Sequence, residues 1–181
     1  MSRILPLQRD AVSDPKVAVG LDGLRKKLGR IPNLFGVLAH TPVALDTYLQ
    51  LADITGASRL PAALREQIAL AVAAANGCEY CDAAHSTIGR MVGLSDTQID
   101  AARDAQAEDA FDAAVLRLAR QIVDLRGRVP ALDIERYRAA GIDDATLLEV
   151  LVVVVANLFT NYTNNLAGTE VDFPRVTAKA A

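Results

Sequence analysis

The chain has 181 residues, enough for one domain whose core needs no disulfide or metal to hold it. Hydrophobic residues make up 51% and charged residues 23%, with a net charge of -3, which argues against a nucleic-acid footprint; the one basic cluster, Arg25-Lys26-Lys27, is a single helix turn. The N-terminus lacks the apolar run of a secretory signal, and the longest apolar stretch, 150–159, falls short of the roughly 20 residues a membrane span needs. A cytoplasmic protein without a membrane segment is the expectation. There a C-x-x-C pair is more often catalytic or metal-binding than a structural disulfide.

Alanine and leucine dominate the texture, and no strand-like alternation appears, so an all-α fold is predicted. A first helix is expected over 14–28, weakened by Gly20 and Gly23. Pro32-Asn33 begins a short apolar turn through Phe35, Val37 and Leu38. Pro42, suited to a first helical turn, opens a helix to about Gly56. Pro61 opens the next, with Leu64, Ile68, Ala71, Val72 and Ala75 on one side and Asn76-Gly77 as its stop. A helix over 78–91 ends before Gly93. Ser95 and Gln98 then read as a capping box.

Phe111, Val115, Leu118, Ile122 and Leu125 mark an amphipathic helix over about 108–125. Val129-Pro130 breaks the chain, and a short helix stops at Gly141. Asp143 caps the last helix, apolar nearly all round from Leu147 to Phe159 and therefore buried centrally or in a subunit contact. Beyond it Asn157, Asn161 and Asn165 recur every four residues, and a polar subunit contact is the favoured reading of that face. The tail after Gly168 reads as extended and frays toward its end. One domain over 1–181 is expected, with a core of about 24–167 and a tail of 168–181.

Three of the four cysteines and histidines in the chain fall in the eight-residue stretch Cys78-Glu-Tyr-Cys81-Asp-Ala-Ala-His85. At 100° per residue, Cys81 lies about 60° and His85 about 20° from Cys78, so all three share a helix stripe. Two cysteines three apart in a first helical turn can form a disulfide. The free N–H groups and dipole of that turn favour a thiolate, whose pKa in such settings falls to roughly 3.5–7.5. A thiolate attacks a peroxide oxygen, an acid protonates the departing oxygen, and a second thiol condenses with the sulfenic acid. His85 can serve as base and then acid. Glu66, with eleven residues between it and Cys78, lies on the preceding helix and can orient its ring across the turn.

Glu66, eleven residues, Cys78-x-x-Cys81, three residues and His85 resemble the signature of the AhpD-like alkylhydroperoxidases, in the carboxymuconolactone decarboxylase superfamily. The flanks Ile31-Pro32-Asn33-Leu34-Phe35, Leu38-Ala39-His40-Thr41-Pro42 and Asn161-Tyr-x-Asn164-Asn165…Asp172-Phe-Pro174 look like its peroxidase-related branch. The likeness covers about residues 24–174. It implies a compact all-helical domain of about seven to nine helices with the C-x-x-C at a helix N-terminus. It further implies a homo-oligomeric peroxidase acting on organic hydroperoxides and re-reduced by a partner dithiol such as a lipoyl-bearing protein. By motif position Cys81 would be the peroxidatic cysteine and Cys78 the resolving one, with Glu66 and His85 as proton relay and no bound cofactor. The best-studied members carry a second histidine just before the later cysteine, where this chain has Tyr80. Tyr80 and His40 are candidate accessory residues.

Other readings compete. A structural zinc site wants four ligands, and only Cys78, Cys81 and His85 qualify, with Glu66 or His40 as an awkward fourth, so no metal is expected. Tyr80 in place of a second proton carrier suits a thiol–disulfide redox protein or sensor that does not turn over peroxide. The apolar last helix suits an oligomeric binding protein with idle cysteines.

Overall fold

The computed structural model describes residues 2–174, and among them every regular element is helical. In chain order these are α1 (Pro15–Leu28), α2 (Asn33–Leu38), α3 (Pro42–Gly56), α4 (Ala62–Ala75), α5 (Glu79–Met91), α6 (Asp96–Arg103), α7 (Ala110–Asp124), α8 (Ala131–Ala139) and α9 (Asp144–Ala167), preceded by a 3-10 turn, Arg9–Ala11. The boundaries follow local chemistry. The Asp14 carboxylate accepts from the backbone N–H groups of Lys16 and Val17, and Ser95 and Gln98 form the reciprocal capping box. The predicted start of α7 at about Glu108 moves to Ala110, because Asp109 caps Phe111 and Asp112 with its side chain.

Helices α4 and α9 run through the centre. α4 packs on α5, α6, α7 and α9, and α9 also packs on α3 and α7. One apolar cluster joins α4, α6, α7 and α9 around Ile68, Leu70, Ile99, Leu116, Leu118 and Val150. A second joins α1, α2 and α3 to the start of α5, where Val17, Leu21, Phe35 and Leu45 surround Cys78, Tyr80 and Cys81. The cysteines therefore sit inside this second cluster, not on a surface loop.

Packing extends past the expected core limits of 24–167 at both ends. Val17 and Leu21 are fully buried, because Gly20 lets α1 close onto Leu45 and Leu49 of α3. The backbone N–H groups of Arg3 and Ile4 donate to the Ala167 carbonyl. Residues 169–174 form a strap across the start of α2. Asp172 accepts from the Asn33 N–H at 3.0 Å and from Arg30, and the Phe173 ring meets Tyr80 edge-on and lies under the Arg30 guanidinium. The rest of the expected tail, 175–181, lies outside the described residues.

The apolar length read from sequence, 150–159, understates α9. The helix runs 24 residues and is long and apolar enough, by length and composition, to cross a membrane. Here one face of it, including Val150, Val153, Val154 and Ala156, is buried against neighbouring helices.

Candidate active site

The turn that ends α4 builds the site. Gly77 takes a left-handed conformation (φ 59°), and the Cys78 N–H donates to the Ala73 carbonyl at 3.0 Å. This reverses the chain so that α5 begins beside the end of α4, with Cys78 as the residue capping α5. Cys78 and Cys81 are joined by a disulfide, with Cα atoms 5.3 Å apart. The first-turn N–H of Cys81 donates to Cys78 Sγ at 3.3 Å, so this donor of the helix start serves Cys78. Both cysteines are buried.

Glu66, on the facing helix α4, meets His85 one turn beyond Cys81. The ring Nδ1 and Glu66 Oε2 are 2.7 Å apart, both side chains about four-fifths buried at 18% exposure. With Nδ1–H donating to the carboxylate, the other ring nitrogen keeps a lone pair, and His85 lines a groove.

That groove is a cavity of about 1470 Å³ between α1, α3 and α5. Cys81 and His85 line it and Cys78 does not. Its walls are mainly apolar, with Leu24, Phe35, Leu49, Ile88 and Phe173 prominent. Gly23 and Gly56 open onto it without side chains, and a Cβ at either would meet nothing within 4 Å. Tyr48 also lines it. Burial, with the Glu66 carboxylate adding to it, pushes the Tyr48 pKa up to about 12, which keeps its hydroxyl neutral.

The two accessory candidates sit elsewhere in the bonding scheme. The Tyr80 hydroxyl accepts from the Leu34 N–H at 3.2 Å, and burial raises its pKa well above the ordinary tyrosine value, so Tyr80 anchors the start of α2. His40 contacts the Leu5 carbonyl at 2.9 Å on the exposed side of the α2–α3 connection and ties down the N-terminal segment. No group of three His, Cys, Asp or Glu side chains fit for a metal ion occurs among the described residues.

The asparagine face of α9 also differs from the favoured sequence reading. Asn157 and Asn161 are buried inside the chain, not presented to another subunit. Asn161 Oδ1 accepts from the Asn76 amide at 3.1 Å and Asn165 donates to the Asn76 carbonyl at 2.9 Å, so α9 grips the turn before Cys78. Asn164, out of step with the spacing by four, donates from Nδ2 to Cys81 Sγ at 3.3 Å. Sequence spacing did not single it out for the sulfur.

Fold and site together define a class: an all-helical domain with a cysteine pair opening a helix and a Glu–His couple beside it. Residues 42–124, which hold Glu66, Cys78, Cys81 and His85, match the carboxymuconolactone decarboxylase family. Among solved structures, the chain is similar to the alkylhydroperoxidase AhpD core of an uncharacterized peroxidase-related protein from Ralstonia eutropha JMP134 (24% identity, 94% of this chain and 92% of that one, TM-score 0.84). It is similar to an uncharacterized peroxidase-related protein from Silicibacter sp. TM1040 (21%, 93% and 91%, TM-score 0.79). It is also similar to a cysteine-to-alanine variant of the debrominase Bmp8 in complex with 2,3,4-tribromopyrrole (18%, 95% and 92%, TM-score 0.79). No curated protein matches the sequence. The chain therefore carries a segment that matches the carboxymuconolactone decarboxylase family, within an all-helical fold that it shares with these solved structures.

Proposed function

We propose that this chain is a thiol-dependent peroxidase for organic hydroperoxides. The observation that carries the reading is the Cys78–Cys81 pair at the start of α5, with Cys81 and the Glu66-held His85 on one apolar groove. In the reduced protein His85 takes the Cys81 thiol proton. The Cys81 thiolate attacks the terminal peroxide oxygen, the O–O bond breaks, and the His85 proton passes to the departing oxygen, leaving an alcohol and Cys81 sulfenic acid. The Cys78 thiol attacks the sulfenic sulfur and releases water, giving the disulfide. A partner dithiol, of the kind a lipoyl-bearing protein supplies, takes up the oxidation and returns both thiols. Cys81 is the attacking sulfur because it alone of the two lines the groove. The groove's mainly apolar walls suit a hydroperoxide with a bulky apolar body. An intracellular home and assembly of several copies complete the reading.

Purified protein should consume cumene hydroperoxide with dihydrolipoamide as reductant. Cys81→Ser should abolish consumption, and Cys78→Ser should allow one turnover that stops at the sulfenic acid. Undiminished consumption by Cys81→Ser would overturn the proposal.

The likeness to a debrominase supports a second reading, reductive dehalogenation by the same pair. There two thiols become a disulfide while a carbon–bromine bond is replaced by carbon–hydrogen and bromide leaves with a proton. Bromide release from a brominated pyrrole, without hydroperoxide consumption, would favour it.

A further inference from the structure

We propose that Asn164 is a catalytic residue of this site, its side-chain amide donating the hydrogen bond that holds the Cys81 sulfur as a thiolate. The inference rests on the peroxidase reading for the reaction it serves, but not for its measurement.

Three observations carry it. First, the amide reaches the reacting atom: Asn164 Nδ2 lies 3.3 Å from Cys81 Sγ, and both residues are buried. Second, the ordinary donor is committed elsewhere. A cysteine in the first turn of a helix usually draws on the free backbone N–H groups there, but the Cys81 N–H points to Cys78 Sγ. An anionic Cys81 sulfur calls for donors around it, and the Asn164 amide already occupies such a position.

Third, Asn164 Oδ1 is buried with no hydrogen-bond partner, as is the Nδ2 of its neighbour Asn161. A buried carbonyl oxygen left unpaired is unusual in a packed interior and asks for a reason. The chemistry of the cycle supplies one. A disulfide or thiolate sulfur only accepts, so it takes the Nδ2–H that the structure shows. A thiol S–H also donates, and a half-turn of the amide would bring Oδ1 round to receive it. One side chain then serves all three states of Cys81, at the expense of an unpaired oxygen whenever the sulfur only accepts.

The amide passes no proton. In the forward step the thiol proton goes to His85 and Asn164 stabilises the charge left on sulfur. In re-reduction an external dithiol attacks Cys81 Sγ from the groove and Cys78 leaves as a thiol; the dithiol's second sulfur then closes its own disulfide and releases Cys81 as a thiolate into the same hydrogen bond.

The test reads the thiol, not turnover. In a Cys78→Ser background, the rate of Cys81 alkylation by iodoacetamide against pH gives its pKa. The charged and titratable groups around it are His85 and Tyr80 on α5, Glu66 on α4, Tyr48 and Asp53 on α3, Lys27 on α1 and the Arg30–Asp172 pair, and none of these is altered. Asn164→Leu should raise the pKa and slow alkylation at neutral pH about ten-fold, the size of a one-unit shift. Its melting temperature should hold or rise, since an unpaired buried carbonyl is removed. An unchanged pKa with a lowered melting temperature would make Asn164 a packing residue and overturn the proposal.

If the variant does not fold, the wild-type protein still decides the matter. The side-chain amide signal of Asn164 in ¹⁵N NMR should shift on reduction and titrate with the Cys81 thiol, and a signal indifferent to both would overturn the proposal. A protein that passes this test yet leaves hydroperoxides untouched would keep the Asn164 inference and lose the peroxidase reading.

Discussion

At the residue scale, Tyr80 shows how one neighbour changes a side chain's role. Its position beside Cys81 invites a place in the proton relay, and only the fold reveals that the hydroxyl is committed to the Leu34 N–H, under the edge of Phe173. Tyr80→Phe should therefore leave the hydroperoxide rate unchanged. It should lower stability by about 1–3 kcal/mol, the cost of a buried N–H left without a partner, read by denaturant unfolding. A large rate loss without a stability loss would return Tyr80 to the relay.

His85 should behave in the opposite way. Its imidazole is half of a 2.7 Å couple with Glu66, and His85→Gln should cost about 10²–10⁴-fold in rate, as loss of a positioned acid–base group does. The couple was legible from sequence because two cysteines and a histidine on one stripe announce their chemistry by residue type. Asn164 was not, because an asparagine carries no such signature and stands 83 residues from the sulfur it touches. The resemblance marked its segment without giving it a task.

At the scale of elements, helix limits were largely readable because caps and breakers are local. Asp14, Ser95, Asp109 and Asp143 each satisfy the N–H groups that follow them. Packing between helices was not readable, and Gly23 is the clearest case. In sequence it only weakens α1. In the structure it widens the groove, with nothing within 4 Å of where its Cβ would lie.

Gly23→Ala should raise stability by about 0.5–1 kcal/mol through helix propensity. Gly23→Leu should fold but narrow the groove, slowing turnover of cumene hydroperoxide more than that of hydrogen peroxide. Equal slowing of both would mean the bulky substrate lies elsewhere.

The α3–α4 connection depends on one carboxylate of α9. Glu149 accepts from Ser58 Oγ at 2.5 Å and from the Arg59 N–H and Nε at 2.8 and 2.7 Å, and these hydrogen bonds hold its pKa below the ordinary carboxylate value. A depressed folded-state pKa contributes stability above the unfolded value that is lost as pH falls through the folded one. Glu149→Gln should thus melt lower than wild type at neutral pH, and the difference should close on acidification past the usual carboxylate range. A gap constant with pH would remove the carboxylate's charge from the account.

At the scale of the whole molecule, α9 faces two ways. Its inner face fills the core and ends in the asparagines that hold the cysteine turn. Its outer face leaves Leu148, Leu151, Val152, Val155, Tyr162 and Leu166 exposed, at steps of three, one, three, seven and four residues that keep them on one stripe. A helix apolar enough by composition to cross a bilayer, with one side packed and the other bare, fits the assembly of several copies that the proposed function includes.

If copies associate through this stripe, the full chain should sediment as an oligomer at micromolar concentration. Leu148→Glu combined with Val155→Glu should shift it to monomer by placing charge in the contact. The inner face is untouched, so helicity should stay near wild type, and so should Cys81 alkylation at neutral pH if each copy holds a complete site. A wild-type chain that sediments as a monomer would leave the stripe without this purpose. A dissociated variant whose Cys81 loses its reactivity would show that neighbouring copies, through α9, help hold the asparagines against the sulfur.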